Sequence, residues 1–178
     1  MELNEEMFEM DENAKIKVIG VGGGGGNALN YMIDKGGLEI DFAAYNTDIQ
    51  ALKKSMAKER LVLGDKGLGA GSNPERGKQA AEASREEIEK SIKGYDMIFI
   101  LAGLGGGTGT GASPVLAKIA RELDILVVAV VSLPFSFEAK KRMDIAIKGL
   151  KELEEHANAY IVVPNNRLSQ YLREMNKK

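Results

Sequence analysis

Three runs of glycine carry the strongest chemical signal in this chain of 178 residues. Gly22 to Gly26 leads into Asn27, Gly67-Leu68-Gly69-Ala70-Gly71 lies midway, and Gly105-Gly106-Gly107-Thr108-Gly109-Thr110-Gly111 follows an apolar stretch. Glycine lets the backbone approach a ligand without interference from a Cβ, and leaves successive amide N–H groups free to face an anion. A helix that starts just after such a run adds its own unpaired donors and partial positive charge. A single run can be no more than a tight strand-to-helix turn. Three runs on one edge of a sheet point to a polyphosphate.

Which polyphosphate is a separate question. Gly20-Val21-Gly22-Gly23-Gly24-Gly25 satisfies GxGxxG, and Asp48 is an acidic residue beyond the second strand, so a dinucleotide-binding domain of a nicotinamide-dependent oxidoreductase is one reading. Any long glycine run meets that pattern, and a dinucleotide takes one glycine turn, which leaves 105–111 without a role. A P-loop needs four residues between its glycines and then Lys-Ser or Lys-Thr. Here five residues separate Gly71 from Gly77, and Lys78 precedes Gln79. A nucleoside triphosphate could use all three runs, with turnover or as a binding module alone.

The elements that must position these loops follow from the apolar pattern. From Lys15 onward, short β-branched runs alternate with longer helical segments, which predicts an α/β domain. Strands are expected at 16–21, 42–45, 60–63, 97–101, 126–131 and 160–163, and helices at 27–35, 49–56, 74–93, 110–123 and 138–156. The expected architecture is three-layered and Rossmann-like, with a mostly parallel six-stranded sheet flanked by helices. MIFIL at 97–101 and LVVAVV at 126–131 are continuous apolar runs suited to central strands. The helix from Pro74 has two candidate starts: Ser72 with Glu75 as a capping box, or Asn73 as the cap with Pro74 at the first helical position. Leu168, Tyr171, Leu172 and Met175 fall at i, i+3, i+4 and i+7, an apolar stripe on a last short helix.

Composition excludes several classes. With 24 basic and 26 acidic residues the net charge is -2, without the positive field of a nucleic-acid binder. The longest apolar run, Ile125 to Val131, is far shorter than the roughly 20 residues of a membrane helix, so no direct membrane insertion is expected. The absence of cysteine excludes disulfides, Cys-ligated metals and thiol catalysis, and fits a reducing compartment. His156 is the single histidine and cannot anchor a multi-histidine metal site. Residues 1–13 hold Glu2, Glu5, Glu6, Glu9, Asp11 and Glu12 and no Lys or Arg, unlike a secretory signal. They read as a disordered acidic tail on a cytoplasmic protein, with 14–178 as one domain.

GGGTGTG at 105–111 resembles the signature of the tubulin/FtsZ family, and Thr110, where tubulins usually carry serine, favours the prokaryotic branch. IKVIGVGGGGGNA at 16–28, NTD at 46–48, GLGAGSNPE at 67–75, PFSFEAKKR at 134–142 and PNN at 164–166 resemble the family's other nucleotide loops, in family order. The likeness runs from Ile16 to about Leu172. It implies a GTPase domain that binds GTP or GDP, with Mg2+ held mainly through phosphate oxygens and water. Gly23, Gly24, Gly25, Gly26 and Asn27, with Gly106, Gly107, Thr108 and Gly109, would hold the phosphates. Thr108 would add a hydroxyl donor. Ala70 and Gly71 resemble the loop that senses the γ-phosphate, Asn46 and Asp48 would lie at the nucleotide's edge, and Pro134 opens the next loop. Glu138 would bond the ribose, Arg142 would reach the same rim, and Asn165 would read guanine. Taken without the family, Glu138 and Arg142 read as a surface ion pair.

Ala139 departs from the family, which usually has glycine there. The family also continues into a central helix and an acidic loop that acts on the nucleotide of the neighbouring subunit, and neither occurs before Lys178. The resemblance therefore implies the nucleotide-binding half of a self-assembling protein, truncated or one piece of a split one, with catalysis supplied from a neighbour. Self-association into protofilaments, division-ring adaptor proteins and a cytoplasmic location at the division ring are implied for the full-length protein.

Overall fold

Six strands pair side by side in the order β3-β2-β1-β4-β5-β6, in a computed structural model that describes residues 14–134 and 140–164. Along the chain they are β1 (Ile16–Val21), β2 (Asp41–Asn46), β3 (Glu59–Val62), β4 (Met97–Gly103), β5 (Leu126–Leu133) and β6 (Ala159–Pro164). The helices are α1 (Gly22–Lys35), α2 (Ile49–Lys53), α3 (Pro74–Ala83), α4 (Arg85–Ile92), α5 (Thr108–Glu122) and α6 (Lys140–Glu154). Every pairing is parallel, so the sheet expected to be mostly parallel is wholly so. The order reverses between β1 and β4, both of which end at the carboxyl edge beside glycine loops. That is where open α/β sheets bind ligands.

The register sorts side chains onto two faces. Lys17 pairs with Asp41 and Val21 with Tyr45, so Ile19, Val21, Ala43 and Tyr45 share one face. With Ile98, Ile100, Val127, Ala129 and Val131 they form the larger core, closed by Ile88, Ile92, Leu116, Ile119 and Leu153. Val18, Ala44 and Leu101 point the other way and pack with Leu29 and Leu52. Each Val, Leu or Ile among them, fully buried, contributes about 1.5–3 kcal/mol.

Three helices differ from expectation, and the simplest case is α2, expected over 49–56, which ends at Lys53. α1 begins at Gly22 instead of residue 27, so the glycine run itself forms the first turns. Glycine costs about 1 kcal/mol per helical position relative to alanine, yet here close packing requires it. A Cβ at Gly25 would lie 2.1 Å from the Leu101 carbonyl oxygen, which lets α1 sit directly on β4. The segment expected as one helix over 74–93 is divided at Ser84, whose backbone leaves helical geometry at φ -99° and ψ 20°. The Ser84 hydroxyl accepts a 2.8 Å bond from the Gly64 amide, tying the bend to the loop that precedes α3. Asn73 is the cap of α3, accepting from the Glu75 amide at 3.0 Å, with Pro74 at the first position. Residues 1–13, Glu138, Ala139, Asn165 and the stripe from Leu168 to Met175 lie outside the described residues.

The amino edge of the sheet is held by a partly buried polar cluster. The Lys17 ammonium, almost fully buried, donates to Glu59 at 2.5 Å and to the Ser91 carbonyl at 2.6 Å. Ser91 in turn donates to Glu59 and accepts from the Tyr45 hydroxyl. A buried ammonium is costly unless paired and hydrogen-bonded in this way.

Candidate functional site

The carboxyl edge opens into a cleft of about 840 Å³ between the starts of α1 and α5. Gly23, Gly24 and Asn27 line one side, and Gly106, Gly107, Thr108 and Gly109 another, with Pro134 and Arg142 at the rim. Sequence reasoning named each of these nine, and the fold brings them together from four segments. A smaller adjoining cleft of about 250 Å³ contains Asn46 and Asp48 with Gly23, Gly26 and Asn27.

The helix starts differ in a telling way. Asp48 caps α2, accepting from the Gln50 amide at 2.9 Å and the Ala51 amide at 3.4 Å, and Asn73 caps α3. α4 has no side-chain cap but carries Glu86 and Glu87 in its first turn. α1 and α5 have neither a side-chain cap nor an acidic residue there. The first N–H groups of a helix have no partner within it and carry about half a positive charge together. Two such ends border one cleft, and among the described residues that line it there is no carboxylate. An anion of several oxygens is the ligand that satisfies both.

The loop before α5 is fixed by its own bonds. The Gly105 amide donates to the Thr110 hydroxyl at 2.8 Å, and the Leu104 amide to the Ser132 carbonyl at 2.9 Å. Thr108 and Thr47 share a buried hydroxyl–hydroxyl bond of 2.7 Å, so the Thr108 hydroxyl already has one protein partner. Ala70 is buried and packs over Gly107. A Cβ at Gly107 would stand 2.8 Å from that of Ala70 and 2.9 Å from the Asn73 nitrogen. Gly25, against β4, lines neither cleft, nor do Ala70 and Gly71. Among the described residues no group of three His, Asp or Glu side chains could hold a metal ion.

Sequence reasoning missed several residues of the site. Tyr31 and Met32 of α1, with Leu101, Val130, Val131 and Val163, give the main cleft an apolar wall. The spacing of Tyr31 four residues after Asn27 was a usable signal, since i and i+4 share a helix face. Thr47 had no local signal, because its partner is 61 positions away.

Residues 15–173 match the model of the Tubulin/FtsZ family, GTPase domain. The chain is 53% identical over 173 residues to the cell division protein FtsZ of Coxiella burnetii (strain RSA 493 / Nine Mile phase I), covering 93% of this chain and 45% of that one. Among solved structures it resembles an empty FtsZ dimer of M. jannaschii, with a TM-score of 0.85 and 43% identity over 95% of this chain and 52% of the other. It also resembles CetZ2 from Haloferax volcanii in a GTPgS-bound protofilament, with a TM-score of 0.77 and 31% identity over 85% and 49% of the two chains. The chain thus spans about half the length of these relatives. They give the oxidoreductase reading no support. By the family match along nearly its whole length, the chain belongs to the Tubulin/FtsZ family and corresponds to its GTPase domain.

Proposed function

We propose that this chain binds GTP and GDP at the carboxyl edge of its sheet and serves a self-assembling GTPase of the bacterial division ring. The observation that carries the reading is the convergence of α1 and α5, two helix starts without side-chain caps or first-turn acids, on one cleft. In this reading the backbone amides from Gly23 to Gly26 and from Gly106 to Gly109 hold the phosphates, with Asn27 beside them. Ala70 and Gly71 respond to the γ-phosphate through their packing on Gly107. Asn46, Asp48 and Pro134 border the nucleotide, Glu138 and Arg142 take the ribose rim, and Asn165 reads guanine. Mg2+ is held mainly by phosphate oxygens and water, as such sites commonly are.

Hydrolysis needs a water positioned and deprotonated beside the γ-phosphate. Among its described lining residues the main cleft has no carboxylate, so the acid–base groups come from a neighbouring subunit. Assembly into protofilaments supplies them, which makes turnover by these residues alone very slow. Adaptor proteins then place the polymer at the division ring in the cytoplasm, with residues 14–178 as the nucleotide-binding domain and 1–13 as an acidic tail. The test is equilibrium titration of the chain with GTP, ATP and NADH in the presence of Mg2+. Preference for GTP supports the proposal, and preference for NADH overturns it.

A further inference from the structure

We infer that Gly149 of α6 is a positioning residue for the loop before α5, acting through Thr110 from behind the cleft, an assignment that rests on the GTP-binding reading above. Neither residue lines a cleft. A Cβ at Gly149 would stand 2.4 Å from the Thr110 Cγ2 and 3.4 Å from its carbonyl oxygen, so α6 approaches α5 at this turn as only glycine permits. Thr110 is itself buried. Pro114 lies four residues further along α5 and has no N–H to give the Thr110 carbonyl. This turn of α5 therefore lacks a helical bond where α6 packs on it.

The effect reaches the loop because the methyl and hydroxyl of Thr110 sit on one carbon. Its Cγ2 is what a Cβ on Gly149 would strike, and its hydroxyl accepts from the Gly105 amide at 2.8 Å. The two substituents are fixed about 120° apart in staggered positions, so turning the methyl away from α6 also takes the oxygen away from Gly105. Gly105 has little freedom to find another acceptor. Its φ is 109°, and a Cβ there would lie 2.8 Å from the Pro134 Cγ and 3.3 Å from the Arg142 carbonyl oxygen. Arg142 and Gly149 are seven residues apart on α6 and share one face of that helix. One helix therefore bears on the loop twice, at Gly105 through its first turn and at Thr110 two turns later. Loop amides held in place before a ligand arrives bind phosphate without first losing backbone freedom.

The experiment compares the full chain with Gly149→Ala, with Thr110→Val, and with a double variant that joins Gly149→Ala to Thr110→Ser. Two quantities are read: GTP affinity by calorimetry with Mg2+, and hydrogen exchange at the Gly105 amide by NMR without nucleotide. Gly149→Ala is expected to bind GTP about tenfold more weakly and to exchange at Gly105 about tenfold faster. Alanine is favoured over glycine within a helix, so helix propensity cannot cause that loss. Thr110→Val keeps its shape against Gly149 without the acceptor, and should show both changes. Thr110→Ser deletes only the obstructing methyl, so the double variant should regain the parent's affinity and protection. Unchanged affinity or unchanged Gly105 exchange in Gly149→Ala overturns the assignment, as does a double variant that stays impaired. Should Gly149→Ala fail to fold, recovery of the fold in the double variant together with both changes in Thr110→Val supports the assignment, and parental affinity in Thr110→Val overturns it. A parent that does not bind GTP, with the exchange pattern as expected, supports the link from α6 to the loop and overturns only the nucleotide reading.

Discussion

Gly107 and Ala70 are packed so closely that a Cβ on the glycine would stand 2.8 Å from the alanine methyl. The loop before α5 and the loop before α3 are therefore in direct contact at this point. A second glycine of the same loop, Gly106, has nothing within 4 Å of its would-be Cβ and lines the cleft. The two positions should respond differently to the same substitution. Gly107→Val forces Ala70 and Asn73 apart, and overpacking of this kind costs about 1–3 kcal/mol. Gly106→Val projects its side chain into open space, so the fold is retained and ligand is displaced. Urea denaturation combined with GTP titration separates these effects. Equal stability of the two variants would show that the contact between Gly107 and Ala70 is soft.

The pair Thr47 and Thr108 gives the next prediction. Their hydroxyls are 2.7 Å apart and buried. Thr47→Val removes one partner and leaves the Thr108 hydroxyl without that bond, at a cost of about 1–3 kcal/mol. Thr108→Val should cost a similar amount, and the double variant less than the sum, because both ends of one bond are removed. Strict additivity in the double-mutant cycle would mean that the bond contributes nothing to stability.

Much of this architecture was legible because its signals are local. The runs at 97–101 and 126–131 are apolar at every position, which is what a strand covered on both faces requires, and they became β4 and β5. Asn73-Pro74 announced the start of α3 by the same chemistry that caps it. The early start of α1 was not legible, since glycine propensity argues against helix and the compensating contact of Gly25 comes from Leu101, far along the chain. Ser84 looked like an ordinary helical position because the bond that bends it comes from Gly64. The candidate site divides in the same way. The glycine runs are visible as composition and Tyr31 through its spacing from Asn27, whereas Thr47 acquires its place only through a partner 61 positions away.

Alkaline pH should weaken the amino edge of the sheet. The Tyr95 hydroxyl donates to Asp41 at 2.5 Å, and burial, followed by that bond and the Asp41 charge, raises its pKa from 10.0 to about 12. Burial also moves the Tyr45 phenol upward. A phenol whose folded pKa exceeds its unfolded value binds more protons in the folded state over the interval between them. Stability therefore falls as pH rises there. The contribution is complete below about pH 10 and lost as the pH passes through about 12. Urea midpoints for the parent and Tyr95→Phe, measured from about pH 9 to about pH 12, should converge as pH increases, since the variant lacks the titrating group. Parallel curves over that interval would assign the alkaline loss to other groups.

Turnover provides the last prediction. The main cleft offers two helix ends, an apolar wall and Arg142, but no carboxylate among its described lining residues. Amide donors and a cation can stabilise charge on phosphate oxygens, which lowers the barrier to phosphoryl transfer. They cannot accept the proton of an attacking water. General-base assistance contributes about 10²–10⁴-fold, so these 178 residues should bind GTP and hydrolyse it slower than an assembled full-length FtsZ by a factor of about that size. Under the proposed function, supplying full-length FtsZ subunits that can pair with the bound face should raise the rate. Single-turnover hydrolysis followed over a dilution series measures this directly. A rate that matches an assembled FtsZ and does not change on dilution would place the base within this chain and end the case for catalysis between subunits. A slow rate that rises with added partner would locate the chemistry at the contact, with the cleft described above supplying only the grip on the nucleotide.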